Sequence, residues 1–189
     1  MAKQGTLFVV SAPSGAGKTT LVREVLNRFD GVSYSVSHTT RPPRTGEVDG
    51  KDYFFTDTDT FKALIDDGRM LEWAKVHNNF YGTSKAFVEE QLALGKSIIL
   101  DIDVQGGRQI MDKNLALISI FIMPPSLEIL AERLSGRGTD SEDVIQTRLD
   151  NAKEEMAQRS FYDHVVVNDD LDTAVEEICS IFARAMEGS

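Results

Sequence analysis

The apolar run Leu7-Phe8-Val9-Val10 leads almost directly into the segment from Ala12 to Thr19, which reads A-P-S-G-A-G-K-T. No other stretch constrains the fold as much. After the glycines comes an amphipathic segment with Val22, Val25, Leu26 and Phe29 on one face, so the whole reads as a strand, a tight turn and a helix. Gly15 and Gly17 let the backbone curl and turn its N–H groups inward. Those groups, with the N-terminus of a helix expected to start at Lys18, form a cradle for phosphate oxygens. Lys18 can reach the outer phosphates, and the Thr19 hydroxyl can ligate Mg²⁺. The strict motif begins with glycine and this chain has Ala12, a small departure because alanine is tolerated wherever φ stays negative. Ala12, Pro13, Ser14, Gly15, Ala16, Gly17, Lys18, Thr19 and Thr20 are therefore the candidate polyphosphate site.

Four apolar, β-branched runs read as buried parallel strands: 6–11, 97–101, 117–123 and 165–168. Helical patterns follow them, and the last carries Ala174, Val175, Ile178, Ile181 and Phe182 on one face, with Asn168 or Asp170 as its cap. Alternating strands and helices imply a doubly wound α/β domain, and 189 residues suffice for one such domain with inserted lobes. Two stretches break the alternation. Residues 33–95 carry short aromatic strand candidates and turns at Asp49-Gly50 and Asp67-Gly68, as expected of a small, partly antiparallel inserted lobe. Residues 124–160 are polar, helical and arginine-bearing, with Gly136 and Gly138 flanking Arg137, as expected of a flap with glycine hinges. The core is then 1–32, 96–123 and 161–189.

The formal net charge of −10 argues against nonspecific nucleic-acid binding, which needs a basic footprint. It also means that any anion site must be built locally from backbone amides and a few placed cations. No apolar run reaches membrane-spanning length, and neither a membrane partner nor a signal peptide is expected. The single cysteine, Cys179, rules out an internal disulfide framework and suits a reducing, cytoplasmic compartment; its helical setting reads as packing.

The cradle alone does not choose between hydrolysis, transfer and binding. Asp101 ends the strand Ile98-Ile99-Leu100-Asp101, where an acidic residue beside such a cradle can hold the Mg²⁺ hydration shell. Asp103 lies on the same side of the extended chain; both acids could equally cap the helix that follows. Asp103-Val-Gln-Gly106 also fits the short D-x-x-G pattern of GTPases, but the guanine-reading N-K-x-D element is absent. Arg41 and Arg44, stiffened by Pro42 and Pro43, can offer two planar forks to one phosphate. Taken alone, that loop could as well be solvated, its charge cancelled by Glu47, Asp49 and Asp52. His38 is close enough to touch a ligand there, whereas His77 and His164 show no metal-ligand spacing.

In order along the chain stand Ser37-x-x-x-Arg41-x-x-Arg44-x-Gly46-Glu47-x-x-Gly50-Lys51-Asp52-Tyr53, then Leu71-Glu72-Trp73-Ala74, then Tyr81-Gly82-Thr83, then Leu100-Asp101-Ile102-Asp103-x-Gln105-Gly106. With the opening glycine turn, this series closely resembles the guanylate kinase family from about residue 5 to residue 183. The resemblance implies a P-loop NTPase-type parallel core flanked by helices, an inserted mixed α+β GMP-binding lobe and a helical lid. It implies ATP and GMP as substrates, Mg²⁺ with the ATP, and transfer of the γ-phosphate to GMP. Arg41, Arg44, Tyr53 and Tyr81 would hold the GMP phosphate, and Ser37, Glu72, Thr83 and Asp103 would read guanine. Lys18, Arg44, Arg137 and Arg148 would serve the transfer. Arg133, Arg137 and Asn168 would join the P-loop in ATP binding, and Thr19 and Asp101 would hold the metal. Scaffold modules of similar sequence that have lost catalysis tend to lose the P-loop, which is intact here. A homo-oligomer is left open.

Overall fold

The computed structural model describes residues 5–76, 78–136 and 141–187. Its centre is a five-stranded parallel sheet in the order β2-β7-β1-β8-β9. The strands are β1 (Leu7–Ser11), β2 (Val32–Tyr34), β7 (Ser97–Asp101), β8 (Leu117–Met123) and β9 (His164–Val167). All five residues of β1 are buried, because helices cover both faces of the sheet. On one face Phe8 and Val10 pack with Leu21 and Val25 of α1 (Lys18–Arg28) and with Ile178 and Phe182 of α7 (Leu171–Glu187). Phe8 stacks on Phe182 at 3.9 Å between ring centroids. On the other face Leu7 and Val9 meet Val88 of α3 (Lys85–Ala93) and Val104 and Ile110 of α4 (Val104–Met111). Cys179 is buried in the first of these clusters.

The sheet contains one strand more than the sequence suggested. Val32–Tyr34 pairs in parallel with β7, Val32 opposite Ser97, so Ser33 and Tyr34 belong to the core sheet rather than to the lobe. Three residues at a sheet edge give no apolar run long enough to be read as a buried strand.

A second sheet follows in the order β4-β3-β6-β5. It comprises β3 (His38–Thr39), β4 (Phe54–Phe55), β5 (Met70–Val76) and β6 (Asn79–Ser84), with α2 (Thr58–Asp66) beside it. The β5–β6 and β3–β6 pairings are antiparallel and the β3–β4 pairing is parallel. Its register slips between Met70 and Glu72. Asp57 and Ser84 cap α2 and α3 by accepting N–H bonds three residues on.

Between β8 and β9 lie α5 (Leu127–Ser135), α6 (Glu142–Ala157) and a 3₁₀ turn at Gln158–Phe161. Leu130 and Leu134 pack on Ala152 to form a small separate core. Gly136 caps α5 with φ −64, an ordinary helical value. Gly138 lies outside the described residues. Among the described residues, no helix is long and apolar enough to cross a membrane.

Candidate active site

The cleft opens at the carboxyl ends of β1 and β7, neighbours in the sheet with Val10 opposite Asp101. A crevice beyond the strand ends is where open α/β sheets bind ligands. Gly15 and Gly17 hold φ of +93° and +95°, the left-handed region open to glycine at little cost. Gly17 is doubly required, since a Cβ there would clash with the side chain of Asn168. Asn168, buried at the end of β9, donates from Nδ2 to the Ala16 carbonyl at 2.8 Å and so braces the turn from behind. Helix α1 starts at Lys18 with no side-chain cap and no acidic residue in its first turn. By contrast α2, α3, α4 and α5 each receive a side-chain oxygen at the N-terminus. The leading N–H groups of α1 therefore face the cleft without a side-chain acceptor, which suits an anion.

Lys18 Nζ lies 2.5 Å from Asp101 Oδ1 and donates to the Ile102 carbonyl at 3.1 Å. Asp101 thus holds the ammonium at the cleft floor. Thr19 and Asp101 both line the cleft. Among the described residues, no group of three or more His, Cys, Asp or Glu side chains could hold a metal by itself. One hydroxyl and one carboxylate, both hard oxygen donors, fit a Mg²⁺ that takes its remaining ligands from phosphates and water.

The opposite wall belongs to the second sheet. Glu72 on β5 is 4% exposed and lines the same cavity of about 530 Å³ as Lys18, Asp101 and Asp103. Thr83, its cross-strand neighbour on β6, donates its hydroxyl to Glu72 Oε1 at 2.6 Å. Burial, aided by the nearby Asp103 charge and opposed by the Thr83 bond, pushes the Glu72 carboxyl up to about 7. A Cβ at position 106 would lie 2.5 Å from Glu72 Oε2, so glycine there makes room for the carboxylate. Asp103 caps α4 by accepting from the Gly106 N–H at 2.8 Å, and it lines the cleft as well. Capping and cleft placement, open alternatives in the sequence, are combined in one side chain.

Beside this wall, Arg41, Tyr53 and Tyr81 come together. The Arg41 guanidinium lies 5.4 Å from the Tyr53 ring centre, and the two tyrosine rings meet edge-on at 6.0 Å. Arg41 Nη2 donates to both Glu47 carboxylate oxygens, at 2.7 and 3.0 Å, while Nη1 donates to the Pro42 carbonyl at 2.8 Å; Glu47 also accepts the Arg44 N–H. Glu47 thus stands where an anion of matching geometry could exchange with it. The Arg44 side chain is exposed. Ser37 also lines the cleft.

The arginines between β8 and β9 are less concentrated. Arg133 donates to the Asn168 carbonyl at 2.9 Å, so it touches the P-loop brace rather than the cleft wall. Arg148 sits half-buried on α6, and Arg137 lies outside the described residues, as does His77. His38 is half-buried, 4.9 Å from Phe54 in a ring stack. Neither it nor the exposed His164 lines the cleft.

Two cleft residues had no signal in the sequence. Tyr34 ends the short β2. Glu155, on α6, lines the cleft together with Ser14 and Lys18 of the P-loop. Burial raises its pKa. It is one of many acids on a polar helix, and only the packing of α6 singles it out.

The guanylate kinase family model matches residues 4–185. The chain is 49% identical over 181 residues to the guanylate kinase of Geobacter metallireducens, covering 96% of this chain and 89% of the relative. It is 51% identical over 181 residues to that of Alcanivorax borkumensis, covering 96% and 87%. The crystal structure of guanylate kinase from Anaplasma phagocytophilum superposes with a TM-score of 0.79 at 34% identity, covering 97% of this chain and 87% of that one.

Proposed function

As the chain belongs to the guanylate kinase family and phosphorylates GMP to GDP at the expense of ATP, we propose that the two walls of its cleft divide that reaction. The P-loop side takes the ATP polyphosphate and the Glu72 side takes GMP. One observation carries the assignment: a buried carboxylate faces the same cavity as a helix N-terminus without a side-chain cap.

Guanine presents N–H donors at N1 and at its exocyclic amine, and an ionised carboxylate is a pure acceptor. Glu72 takes these donors, with Thr83 fixing one of its oxygens and Ser37 and Asp103 completing the pocket. Adenine lacks the donor pair and leaves the buried carboxylate unpaired, a cost of about 1–3 kcal/mol or more. At the other end of GMP, Arg41 exchanges Glu47 for the phosphate, and Arg44, Tyr53 and Tyr81 complete the clamp.

The acceptor is a GMP phosphate oxygen, already ionised near neutral pH, so no general base is needed. It attacks the γ-phosphorus of ATP; the bond to the β–γ bridging oxygen breaks, and ADP leaves with that electron pair. Catalysis is then mostly alignment and charge stabilisation. Lys18 and the P-loop amides hold the outer phosphates. Thr19 and Asp101 would hold the Mg²⁺ of Mg-ATP, which would supply charge neutralisation for the polyphosphate. Arg133, Arg137 and Arg148 close with the lid, 124–160, over the transferring group and exclude water. The lobe, 35–95, carries the GMP side, and Asn168 borders the ATP site. The enzyme works in the cytoplasm on small nucleotides, without nucleic acid or membrane.

A pH dependence tests the guanine reading. Glu72 accepts both guanine donors only when ionised, and its carboxyl in the free cleft titrates at about 7. GMP affinity measured by calorimetry should therefore rise between pH 6 and pH 8. In Glu72→Gln the only remaining rise is that of the GMP phosphate itself, whose second ionisation falls near 6. Identical pH profiles for the two proteins would contradict the assignment.

A further inference from the structure

We propose that Gln109 is a positioning residue for guanine selectivity: its side-chain amide clips the open edge of β5 and so sets Glu72 at the cleft. The inference rests on Glu72 being the guanine reader.

Strand β5 is the edge of its sheet, with β6 on one side and, among the described residues, no strand on the other. An edge strand leaves alternate peptide groups without a ladder partner. At Trp73, the residue after Glu72, both groups are taken by Gln109 of α4. Gln109 Nε2 donates to the Trp73 carbonyl at 2.6 Å, and Gln109 Oε1 accepts the Trp73 N–H at 3.2 Å. A primary amide carries donor and acceptor together and can imitate a neighbouring strand's peptide.

Two further features show why the clip matters at this position. The β5–β6 register slips between Met70 and Glu72, so the ladder does not lock Glu72 from its N-terminal side. Gly106, three residues before Gln109 and on the same helical face, is the position whose missing Cβ makes room for the Glu72 carboxylate. Helix α4 therefore holds Glu72 at two points, by contact at Gly106 and by hydrogen bonds at Gln109. The same helix begins at Asp103 in the cleft, so the clip also ties the guanine wall to the P-loop side.

The test compares GMP with inosine monophosphate, which keeps the N1–H donor but lacks the exocyclic amine. The readout is the ratio of kcat/KM for the two acceptors, with KM for ATP and the melting temperature followed alongside. Gln109→Met keeps the volume and removes both hydrogen bonds. It should reduce the GMP preference by about tenfold, the effect of roughly one lost hydrogen bond, and leave KM for ATP within about twofold. Gln109→Glu, which opposes an oxygen to the Trp73 carbonyl, should do the same and substitutes for the Met variant should that one fail to fold. The double variant Glu72→Gln/Gln109→Met should show no less selectivity than Glu72→Gln alone, because both changes act through one contact. Unchanged selectivity in Gln109→Met, or losses that multiply in the double variant, would overturn the positioning role and leave the guanine reading standing. Unchanged selectivity in Glu72→Gln would overturn both.

Discussion

Lys18→Ala is expected to lower kcat by about 10³-fold, the scale on which loss of one preorganised donor to a developing charge is felt, while the protein keeps its fold. The side chain stands at the mouth of the glycine turn, held by Asp101 at 2.5 Å and by the Ile102 carbonyl. It is thus aimed before ATP arrives, and little reorganisation is needed when charge moves onto the β–γ bridging oxygen. Position 18 opens α1, and alanine is a good helix former, so the helix survives the change. The side chains proposed for GMP are left in place, so KM for GMP should stay within about twofold. Steady-state kinetics with a melting curve on the same sample checks the prediction, and unchanged turnover would remove Lys18 from the mechanism.

Glu72→Gln should lower kcat/KM for GMP by about 10²–10³-fold, the loss of two charge-assisted hydrogen bonds at about 1.5–3 kcal/mol each offset in part by the remaining amide oxygen. The same change should stabilise the protein in alkaline buffer. Burial raises the carboxyl from its ordinary 4.5 to about 7. In that interval the folded protein binds more protons at this site than the unfolded chain, so the site's contribution to stability falls as pH rises from about 4.5 to 7. Above 7 the cost of the buried charge is fully present, about 3 kcal/mol at most. Glutamine carries no charge and can still accept the Thr83 hydroxyl. Denaturant melts of both proteins at pH 4.5 and pH 8 should show the variant gaining only at pH 8. A gain of equal size at both pH values would show that the charge is not what the fold bears.

The parallel core could be read from the chain because strands covered on both faces are runs of mostly apolar residues. Leu7–Ser11, Ser97–Asp101 and Leu117–Met123 are such strands. Val32–Tyr34 escaped because it is three residues long and pairs only with β7. The glycine turn was legible because its backbone demands particular residues: positive φ at Gly15 and Gly17, then a helix. Glu72 was not legible from its neighbours. An acid between Leu71 and Trp73 fits an edge strand facing solvent, and its burial comes from β6 and α4, elements distant in sequence. Gln109 and Glu155 gave no signal for the same reason, since only the tertiary fold brings each to its neighbours. The Arg41 loop was ambiguous in sequence, and the fold shows why: Arg41 is both neutralised by Glu47 and set over the rings of Tyr53 and Phe55.

The proposed reaction requires a cleft with a polyphosphate side and a guanine side. The most direct measurement is ADP release by the purified protein with Mg-ATP and GMP, AMP, UMP or CMP as acceptor, at equal concentrations well below saturation. The account predicts rapid release with GMP and release lower by about 10⁴-fold or more with AMP, as expected of a site built around hydrogen bonds that adenine cannot make. Equal rates with GMP and AMP would contradict it.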